Sequence, residues 1–491
     1  MVTRAPGGLV GLLATLALAG CGTLAATSRP ATPRHTALPQ HHDAGVHQQH
    51  TQPAPHPKPR PTPPLLPLAP AHGTLPGWLH TAGTTIVDAH NRPVRLASVN
   101  WDGAETTNFV VGGLAERPYM SILRSIKGLG FNSIRILFSN ELVERNPVVR
   151  QRLEANPQLR GKHALEILDT IVAGARQVGL MVILADHQNA AGGKGHQFTH
   201  STVLWYSLPR YPEQAWLADW LTLAQRYRNN PAVVGFDLYN EPHNDGPGLE
   251  ILSMGYLRQG ATWGPFMGQD NPATDWRLAA QRAGNAILKV NPHVLIIVEG
   301  TEIYPYRNPL SGAACPDHTP ASWGYCADVY WWGGNLVGAK KYPVVLNVPH
   351  QLVYSPHEYG PGLHTQRWFT SMRSEADWQR KEYDHWGYLV DATGPTAAPV
   401  WVGEFGTATS GPASNVHDPR NRLQQSWFNA LIHFLQRHPT IGWAYWVLNG
   451  TRPDGPDRIP GPPNGPGLLT RDWAHLSNPR VFALLHTLMQ Q

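Results

Sequence analysis

The stretch VVGFDLYNEPHND, residues 233–245, changes within a few positions from an apolar run to a polar end. The residues from Val233 to Leu238 are almost all apolar, as in a parallel strand that is covered on both faces. Asn240 and Glu241 follow directly afterwards, and neither has an obvious use in a hydrophobic core. This stretch indicates a buried strand of an α/β fold with a functional residue at its carboxyl end.

Seven further segments have the same strand-like character, and helix-like segments separate them. The clearest helical segment is DWRLAAQRAGNAILKVNP, residues 275–292, whose apolar residues recur at alternating steps of four and three. Eight buried strands that alternate with helices predict a TIM (β/α)8 barrel. A doubly wound open sheet is the alternative, but no GxGxxG motif follows the first strand. The predicted strands are VRLASVN from residue 94, SIRILF from 133, LMVILAD from 180, VVGFDLY from 233, VLIIVEG from 294, QLVYSPH from 351, PVWVGEF from 399 and GWAYWV from 442.

The composition narrows the function classes. Charged residues make up 15% of the 491 residues, below the roughly 25% of an average soluble protein, and tryptophan occurs 18 times. The flat faces of tryptophan are suited to stacking on sugar rings. The formal net charge is +5, but Lys and Arg are scattered without a basic run, so we expect no nucleic-acid partner.

The N-terminal segment has the layout of a secretory signal. Residues 1–21 carry Arg4 and then an apolar run that is too short for a comfortable membrane span. The run ends in LAGC, which resembles the lipobox of bacterial lipoproteins, where the cysteine, here Cys21, is lipidated and becomes the new N-terminus. A cleaved signal that happens to contain a cysteine is the alternative. We expect an exported lipoprotein anchored in the cell envelope, or otherwise a secreted protein.

Residues 22–74 read as a tether rather than as a domain. They are rich in proline and histidine and have almost no periodic apolar pattern, so we predict a disordered linker. Its histidines could bind a metal ion, but a solvated low-complexity linker accounts for the same composition. The predicted catalytic barrel spans residues 75–491.

Two cysteines remain if Cys21 is lipidated. Cys315 and Cys326 would then be an even pair in an oxidising compartment, and we predict a disulfide between them. Two free thiols are the alternative. A metal site is not expected, because no CxxC spacing accompanies the pair.

Polar residues gather at the predicted strand ends, which in a TIM barrel converge on the face that holds the active site. Glu241 and Glu404 end strands four and seven, so they can face one another across the mouth of the barrel. Two facing carboxylates suit glycoside hydrolysis, with retention at a separation of ~5 to 5.5 Å and with inversion where a water fits between them. The other polar residues at these ends are Asn100, Trp101, Asp186, His187, Asn240, His357, Glu358, Tyr359, Trp446 and Asn449, with Arg135 inside the second strand.

Five short motifs occur in order along the chain. They are IRI at 134–136, NEP at 240–242, WWGGN at 331–335, HEY at 357–359 and GEFG at 403–406. Each is short, but the ordered set is specific. From Gly77 to about Trp473 the sequence resembles glycoside hydrolase family 5, and particularly its bacterial endo-β-1,4-glucanases (cellulases).

The resemblance implies a role for each matching residue. Glu241 would be the acid/base, Glu404 the nucleophile, and Asn240 the residue that binds the sugar 2-hydroxyl. Arg135 would keep Glu404 ionised, because a nearby cation lowers a carboxylate pKa, although a purely structural ion pair is the alternative. Trp446 would offer an aromatic floor to the sugar at the cleavage point. The remaining active-site positions match His187, His357 and Tyr359, of which the two histidines could also be ordinary core residues.

Several further residues have two interpretations. Four tryptophans are candidates for neighbouring sugar subsites, although core packing explains the last three of them equally well: Trp101, Trp205, Trp331 and Trp332. Supporting or structural roles fall to Asp186, Glu299 and Glu358, because only Glu241 and Glu404 fit the paired geometry. Asp102 and Ala104 stand where the family's endoglucanases usually carry aromatic residues. The loops at 312–330 and 452–467 look longer than in those relatives and could narrow the cleft, which would favour chain ends or short oligosaccharides.

The sequence therefore predicts a membrane-tethered retaining hydrolase of β-1,4-glucosidic bonds, acting on cellulose or β-glucan by a two-glutamate double displacement. We expect a monomer that needs no metal and no other cofactor, and that meets the membrane only through its lipid anchor. A β-mannanase or β-glucosidase of the same family is the nearest alternative. A non-catalytic carbohydrate-binding lipoprotein on the same barrel is a further one, since fold does not determine function, but such a protein has no use for a nucleophile.

Overall fold

The computed structural model describes residues 64–192, 204–243, 260–265, 271–307, 326–363, 366–407, 419–451 and 467–491. The signal segment with Cys21 and most of the predicted linker lie outside these ranges, as do Cys315 and most of the two long loops at 312–330 and 452–467. No helix within the described ranges has the length and apolar character needed to cross a membrane.

Nine parallel strands form one sheet, and two short antiparallel pairs accompany it. The antiparallel pairs are β1 (Leu79–Ala82) with β2 (Thr85–Asp88), and β8 (Ile303–Arg307) with β9 (Cys326–Val329). The strands of the large sheet are β3 (Ala97–Ala104), β4 (Ser133–Ser139), β5 (Met181–Gln188), β6 (Val233–Asp237), β7 (Leu295–Glu299), β10 (Leu352–Ser355), β11 (His357–Tyr359), β12 (Trp401–Gly406) and β13 (Gly442–Tyr445). Their order is β10-β7-β6-β5-β4-β3-β13-β12-β11.

The sheet closes through its sixth predicted strand, which is divided in two. β10 pairs with β7 on one side, and β11 pairs with β12 on the other. Pro356 lies between the two pieces, and proline has no N–H to donate to a strand ladder. Tyr354 bridges to Val400 across the join. The predicted TIM barrel is confirmed, all eight predicted strands are present, and the open doubly wound sheet is excluded.

The α-helices of the described ranges are α1 (Tyr119–Gly128), α2 (Asn140–Arg145), α3 (Ala164–Val178), α4 (Glu213–Tyr227), α5 (Trp276–Val290), α6 (Glu375–His385), α7 (Pro419–Arg437) and α8 (Pro479–Met489). The helix predicted from the spacing in 275–292 is α5. Asp275 caps it, because its carboxylate accepts a hydrogen bond from the N–H of Leu278 at 3.3 Å. Trp276, Ala280 and Ala283 lie on its buried face, as the spacing predicts.

The core has two layers. One fills the space between the barrel and its helices. The other lies inside the barrel, where Leu79 and Ile86 of the β1–β2 hairpin pack with Met181, Ile297 and Trp401. The hairpin therefore covers the end of the barrel at which the strands begin, and the opposite end, where the strands finish, remains for a functional site.

The segment before β1 packs against the barrel. The N–H of Leu66 donates to the carbonyl of Ala474 at 2.9 Å, and the N–H of Gly73 donates to the carbonyl of Gln177 at 2.9 Å. The Leu66 side chain is buried. Residues 64–74 thus have contacts with the folded unit, which begins earlier than the predicted domain start at residue 75.

Candidate active site

Glu404 lies near the end of β12, and both of its carboxylate oxygens accept hydrogen bonds. The pairing of β11 with β12 places His357 directly beside it. Its Oε1 accepts a hydrogen bond from Arg135 Nη1 at 2.6 Å, and its Oε2 accepts one from the Tyr359 hydroxyl at 2.8 Å. The residue is 3% exposed. These contacts fix the orientation of the Glu404 carboxylate within the barrel mouth.

Arg135 is fully buried inside β4 and connects several strand ends. Its guanidinium donates to the carboxylates of Asp237 (2.8 Å), Glu299 (3.3 Å) and Glu404 (2.6 Å) and to the amide oxygens of Asn100 (3.0 Å) and Asn240 (3.0 Å). Burial opposes the charge of the guanidinium, but the facing carboxylates outweigh it and raise the pKa of Arg135 above its usual value. Arg135 is therefore a permanent cation at the centre of the site.

Replacing Arg135 with methionine should reduce the free energy of unfolding by about 3 to 5 kcal/mol, because the buried carboxylates of Asp237, Glu299 and Glu404 lose their shared cation. Urea unfolding at neutral pH measures the loss. The control is Arg226→Met, which removes an ion pair to Asp169 whose side chains are 31% and 41% exposed, and should cost less than about 1 kcal/mol. Equal losses in the two variants would contradict the central role of Arg135.

Glu241 follows β6 and is held at both its backbone and its side chain. Its φ of 50° lies in the left-handed region, which is uncommon for a residue other than glycine. Its N–H donates to Glu299 Oε2 at 2.7 Å, and its Oε1 lies 3.1 Å from Nδ1 of His357. One oxygen of Glu241 lies within 4.8 Å of one oxygen of Glu404. This closeness of two of their oxygens agrees with the short carboxyl separation of ~5 to 5.5 Å in retaining glycosidases.

The surroundings shift the pKa values of Glu241 and Glu404 in opposite directions. Burial raises the pKa of Glu241, and the negative charge of Glu404 adds to this, although the hydrogen bond with His357 opposes it. Burial also acts on Glu404, but the charges of His357 and Arg135 outweigh it and hold the pKa of Glu404 below its usual value. Two carboxyl groups whose environments separate their pKa values in this way can serve as an acid and an ionised partner.

Asn240, His187 and Trp446 complete the same cluster. The Asn240 side chain accepts from Arg135 and also hydrogen-bonds to the His187 ring. Burial lowers the pKa of His187 to about 4, so this imidazole is neutral near pH 7. Its ring stacks on Trp446, with centroids 5.9 Å apart and planes 12° apart. The structure therefore brings together eight of the predicted site residues: Arg135, His187, Asn240, Glu241, His357, Tyr359, Glu404 and Trp446.

The remaining predicted tryptophans differ in exposure. Trp332 is half-buried, and its ring stacks on His243, with centroids 3.9 Å apart, two residues beyond Glu241. Trp101 is 0% exposed, and its indole N–H donates to the carbonyl of Gly112. This burial contradicts the predicted sugar-binding role of Trp101, because a fully enclosed indole has no free face. Core packing also accounts for two further candidates, Trp205 and Trp331.

Among the residues that the structure describes, two groups of side chains have the donor types of a metal site. Their ligand atoms lie within 4.8 Å of one another, and they are Asp237 with Glu299 and His357, and Glu241 with His357 and Glu404. Asp237, Glu299 and Glu404 already pair with the Arg135 guanidinium. A metal ion would stand beside that cation, so these carboxylates fit the arginine better than a metal.

The sequence interpretation underrated three residues of the site. Asn100 and Asp237 had no assigned role, and Glu299 was assigned a supporting or structural one, yet all three bind Arg135. Asp237 interrupts the apolar run of β6, and a buried carboxylate requires a partner. That interruption is a signal in the sequence that a cation from another strand reaches β6 inside the barrel.

A closed barrel that presents two carboxyl groups at this spacing, one of them ionised against an arginine, defines a glycoside hydrolase of the retaining type. Residues 87–452 match the family model of cellulase (glycosyl hydrolase family 5), so the chain belongs to this family, as the resemblance predicts. An endoglucanase of Paenibacillus polymyxa is 36% identical over 415 residues, which cover 84% of this chain and 88% of that protein.

Solved structures agree with this assignment. An endocellulase from the archaeon Pyrococcus horikoshii superimposes with a TM-score of 0.66 at 34% identity, covering 85% of this chain and 100% of that one. A structure of that endocellulase in complex with cellotetraose has a TM-score of 0.65 at 33% identity and covers 84% of this chain and 99% of that one.

Proposed function

We propose that the protein is an exported endo-β-1,4-glucanase that hydrolyses cellulose or a related β-glucan with retention of anomeric configuration. The observation that carries the proposal is the pair of carboxyl groups, Glu241 and Glu404, with oxygens within 4.8 Å of one another at the mouth of a barrel. The similarity to an endoglucanase and to an endocellulase crystallised with cellotetraose supports β-1,4-linked glucose as the substrate.

In the first step Glu404 attacks the anomeric carbon as the ionised nucleophile. Glu241 gives its proton to the glycosidic oxygen as the C–O bond breaks, and the leaving sugar departs neutral. Arg135 and Tyr359 hold the two oxygens of Glu404, so the attacking carboxylate enters the reaction already oriented. The products of this step are a covalent glycosyl enzyme and an ionised Glu241.

In the second step Glu241 acts as a base. It takes a proton from a water molecule, the water oxygen attacks the anomeric carbon, and the bond to Glu404 breaks. Two inversions leave the β-configuration unchanged. Asn240 binds the sugar 2-hydroxyl beside the nucleophile, and the half-buried Trp446 supplies an apolar floor, with His187 supporting that ring from one side.

Hydrolysis of a panel of polymers tests the substrate class. We expect activity on carboxymethylcellulose and mixed-linkage β-glucan, little on mannan and xylan, and equal rates with and without a chelator. An endo mode predicts that viscosity falls faster than reducing ends appear. Preference for mannan would favour the β-mannanase alternative, and release of glucose from cellobiose as the main activity would favour a β-glucosidase.

The anchoring proposal rests on LAGC at residues 18–21 followed by the Pro/His-rich segment. Changing Cys21 to serine should move the protein from the membrane fraction to the soluble fraction of a bacterial host, because the lipid can no longer be attached. Immunoblots of both fractions measure the shift. Equal partitioning of the two forms would rule out lipidation at Cys21.

The disulfide proposal rests on the even number of cysteines that remain beyond Cys21 in an exported protein. We expect Cys315 and Cys326 to be linked. Peptide mass spectrometry without a reductant should detect the cross-linked pair, and full alkylation of both thiols under those conditions would contradict it.

A further inference from the structure

Glu299, at the end of β7, is buried beneath the site and contacts three of its groups. Its side chain is 0% exposed. Its Oε2 accepts the backbone N–H of Glu241 at 2.7 Å, and its Oε1 lies 3.2 Å from Nε2 of His357 and 3.3 Å from Nη2 of Arg135. One carboxyl group therefore joins the backbone of Glu241 to the ring that contacts the Glu241 side chain.

The surroundings of Glu299 are built closely around this carboxyl group. Its own carbonyl accepts the indole N–H of Trp276 at 2.8 Å, which ties the end of β7 to α5. Gly333 of the WWGGN motif covers it from the other side. A Cβ at Gly333 would lie 2.4 Å from Glu299 Oε2 and 3.3 Å from the Cα of Glu241, so only glycine allows this approach.

We propose that Glu299 is a positioning residue for proton transfer by Glu241. It holds the left-handed backbone of Glu241 through the N–H and, by orienting His357, it also fixes the Glu241 carboxyl group, whose Oε1 lies 3.1 Å from His357 Nδ1. Glu241 is thus constrained from both ends by one neighbour. The inference rests on the proposed acid/base role of Glu241 and adds Glu299 as the residue that orients the Glu241 carboxyl group.

The substitution Glu299→Gln tests this role, because all three neighbours of the carboxyl group are hydrogen-bond donors. The groups around it are the N–H of Glu241, the Arg135 guanidinium and Nε2 of His357. Burial opposes the charge of the His357 ring, but the carboxyl groups of Glu299 and Glu404 outweigh it and raise the pKa of His357 well above its usual value, so Nε2 carries a proton. An amide has nearly the same shape but presents an NH₂ in place of one oxygen, so in either orientation it places a donor against a donor. The Glu241 backbone or the His357 ring must then move.

The test is the dependence of kcat/KM on the leaving group, measured with a series of aryl β-cellobiosides. Good leaving groups need little proton donation, whereas poor ones depend on it. We expect Glu299→Gln to lose about 10²-fold on the poorest leaving groups and less than about 5-fold on the best, which is a steeper dependence than that of the wild type.

The matched control is Glu358→Gln. Glu358 is also buried and also lies in a barrel strand, but its carboxyl group contacts Tyr330, Trp386 and Trp427 outside the site. A loss of structure without a positioning role would lower kcat/KM equally across the series, so Glu358→Gln should keep the wild-type slope. If kcat/KM of Glu299→Gln depends on the leaving group with the same slope as that of the wild type, the proposal is overturned.

Two further measurements make the result decisive. If Glu299→Gln does not fold, Glu299→Asp is measured on the same series, because the shorter side chain keeps the carboxyl group but cannot span the same contacts, and it should steepen the slope as well. A failure of the proposed function itself looks different. In that case the wild type does not cleave the cellobiosides, or Glu241→Ala shows no leaving-group dependence.

Discussion

Replacing Glu404 with alanine should lower hydrolysis by at least about 10⁴-fold on polymeric and on aryl substrates alike, because no covalent intermediate can form without the nucleophile. The size of the leaving-group effect separates this loss from a failure of proton donation, since a better leaving group cannot replace the attacking carboxylate. Initial rates on mixed-linkage β-glucan and on a 2,4-dinitrophenyl cellobioside measure the loss on the polymeric and on the aryl substrate.

The control for Glu404→Ala is a check that the variant is still folded. Removing Glu404 also deprives Arg135 of its closest carboxylate, so thermal unfolding must show a cooperative transition before the rate is interpreted. Azide supplies a second readout, because it can enter only from the face that the missing carboxylate occupied, opposite the leaving group, and should give the inverted glycosyl azide. Activity of Glu404→Ala on the aryl substrate near the wild-type rate would contradict the assignment.

Replacing Glu241 with alanine should produce a different pattern. We expect a loss of about 10²- to 10⁴-fold on polymeric glucan, where the leaving oxygen must be protonated. An activated aryl cellobioside should still react in a burst and then stall at the glycosyl enzyme, because the second step lacks its base. Rapid-mixing measurements of aryl release detect the burst.

Azide distinguishes the two glutamates by stereochemistry. It should accelerate turnover of Glu241→Ala, because it attacks the glycosyl enzyme without needing a base, and the glycosyl azide should keep the β-configuration. The inverted azide from Glu241→Ala, together with the retained one from Glu404→Ala, would show that the two roles are exchanged.

The strands were predictable because barrel strands are covered on both faces. Each of the eight therefore appears in the sequence as a short apolar run, and the sheet contains all eight. The carboxyl ends of parallel strands meet on one face, so the positions of Glu241 and Glu404 at two such ends were enough to bring them together before any distance was known. The spacing of 4.8 Å or less required the structure.

The alternation of side chains along a strand explains the error at Trp101. Asn100 points into the barrel, where its amide oxygen accepts from Arg135. The next residue of a strand points to the opposite face, so Trp101 lies in the outer core, against Gly112. The same alternation places Glu358 outside, between the inward-facing His357 and Tyr359. Applying the two-residue period to each strand end would have separated these residues from the sequence alone.

The network around Arg135 could be predicted only in part. A buried arginine in β4 requires acceptors, but local sequence does not say which strands provide them. Asp237, Glu299 and Glu404 come from three other strands, and only the closed register of the barrel places them around one guanidinium. The left-handed backbone of Glu241 depends on the same neighbours and has no signal in its own residue type.

The stereochemical course of hydrolysis tests the central claim most directly. In the proposed double displacement Glu404 attacks the anomeric carbon and Glu241 protonates the leaving oxygen, with one oxygen of each carboxyl group within 4.8 Å of the other. Proton NMR of the native enzyme acting on a cello-oligosaccharide, recorded within the first minutes, resolves the anomer that forms before mutarotation. Retention predicts that the β-anomer of the new reducing end appears first and the α-anomer grows later. Initial appearance of the α-anomer would contradict the double displacement and, with it, the roles of both glutamates.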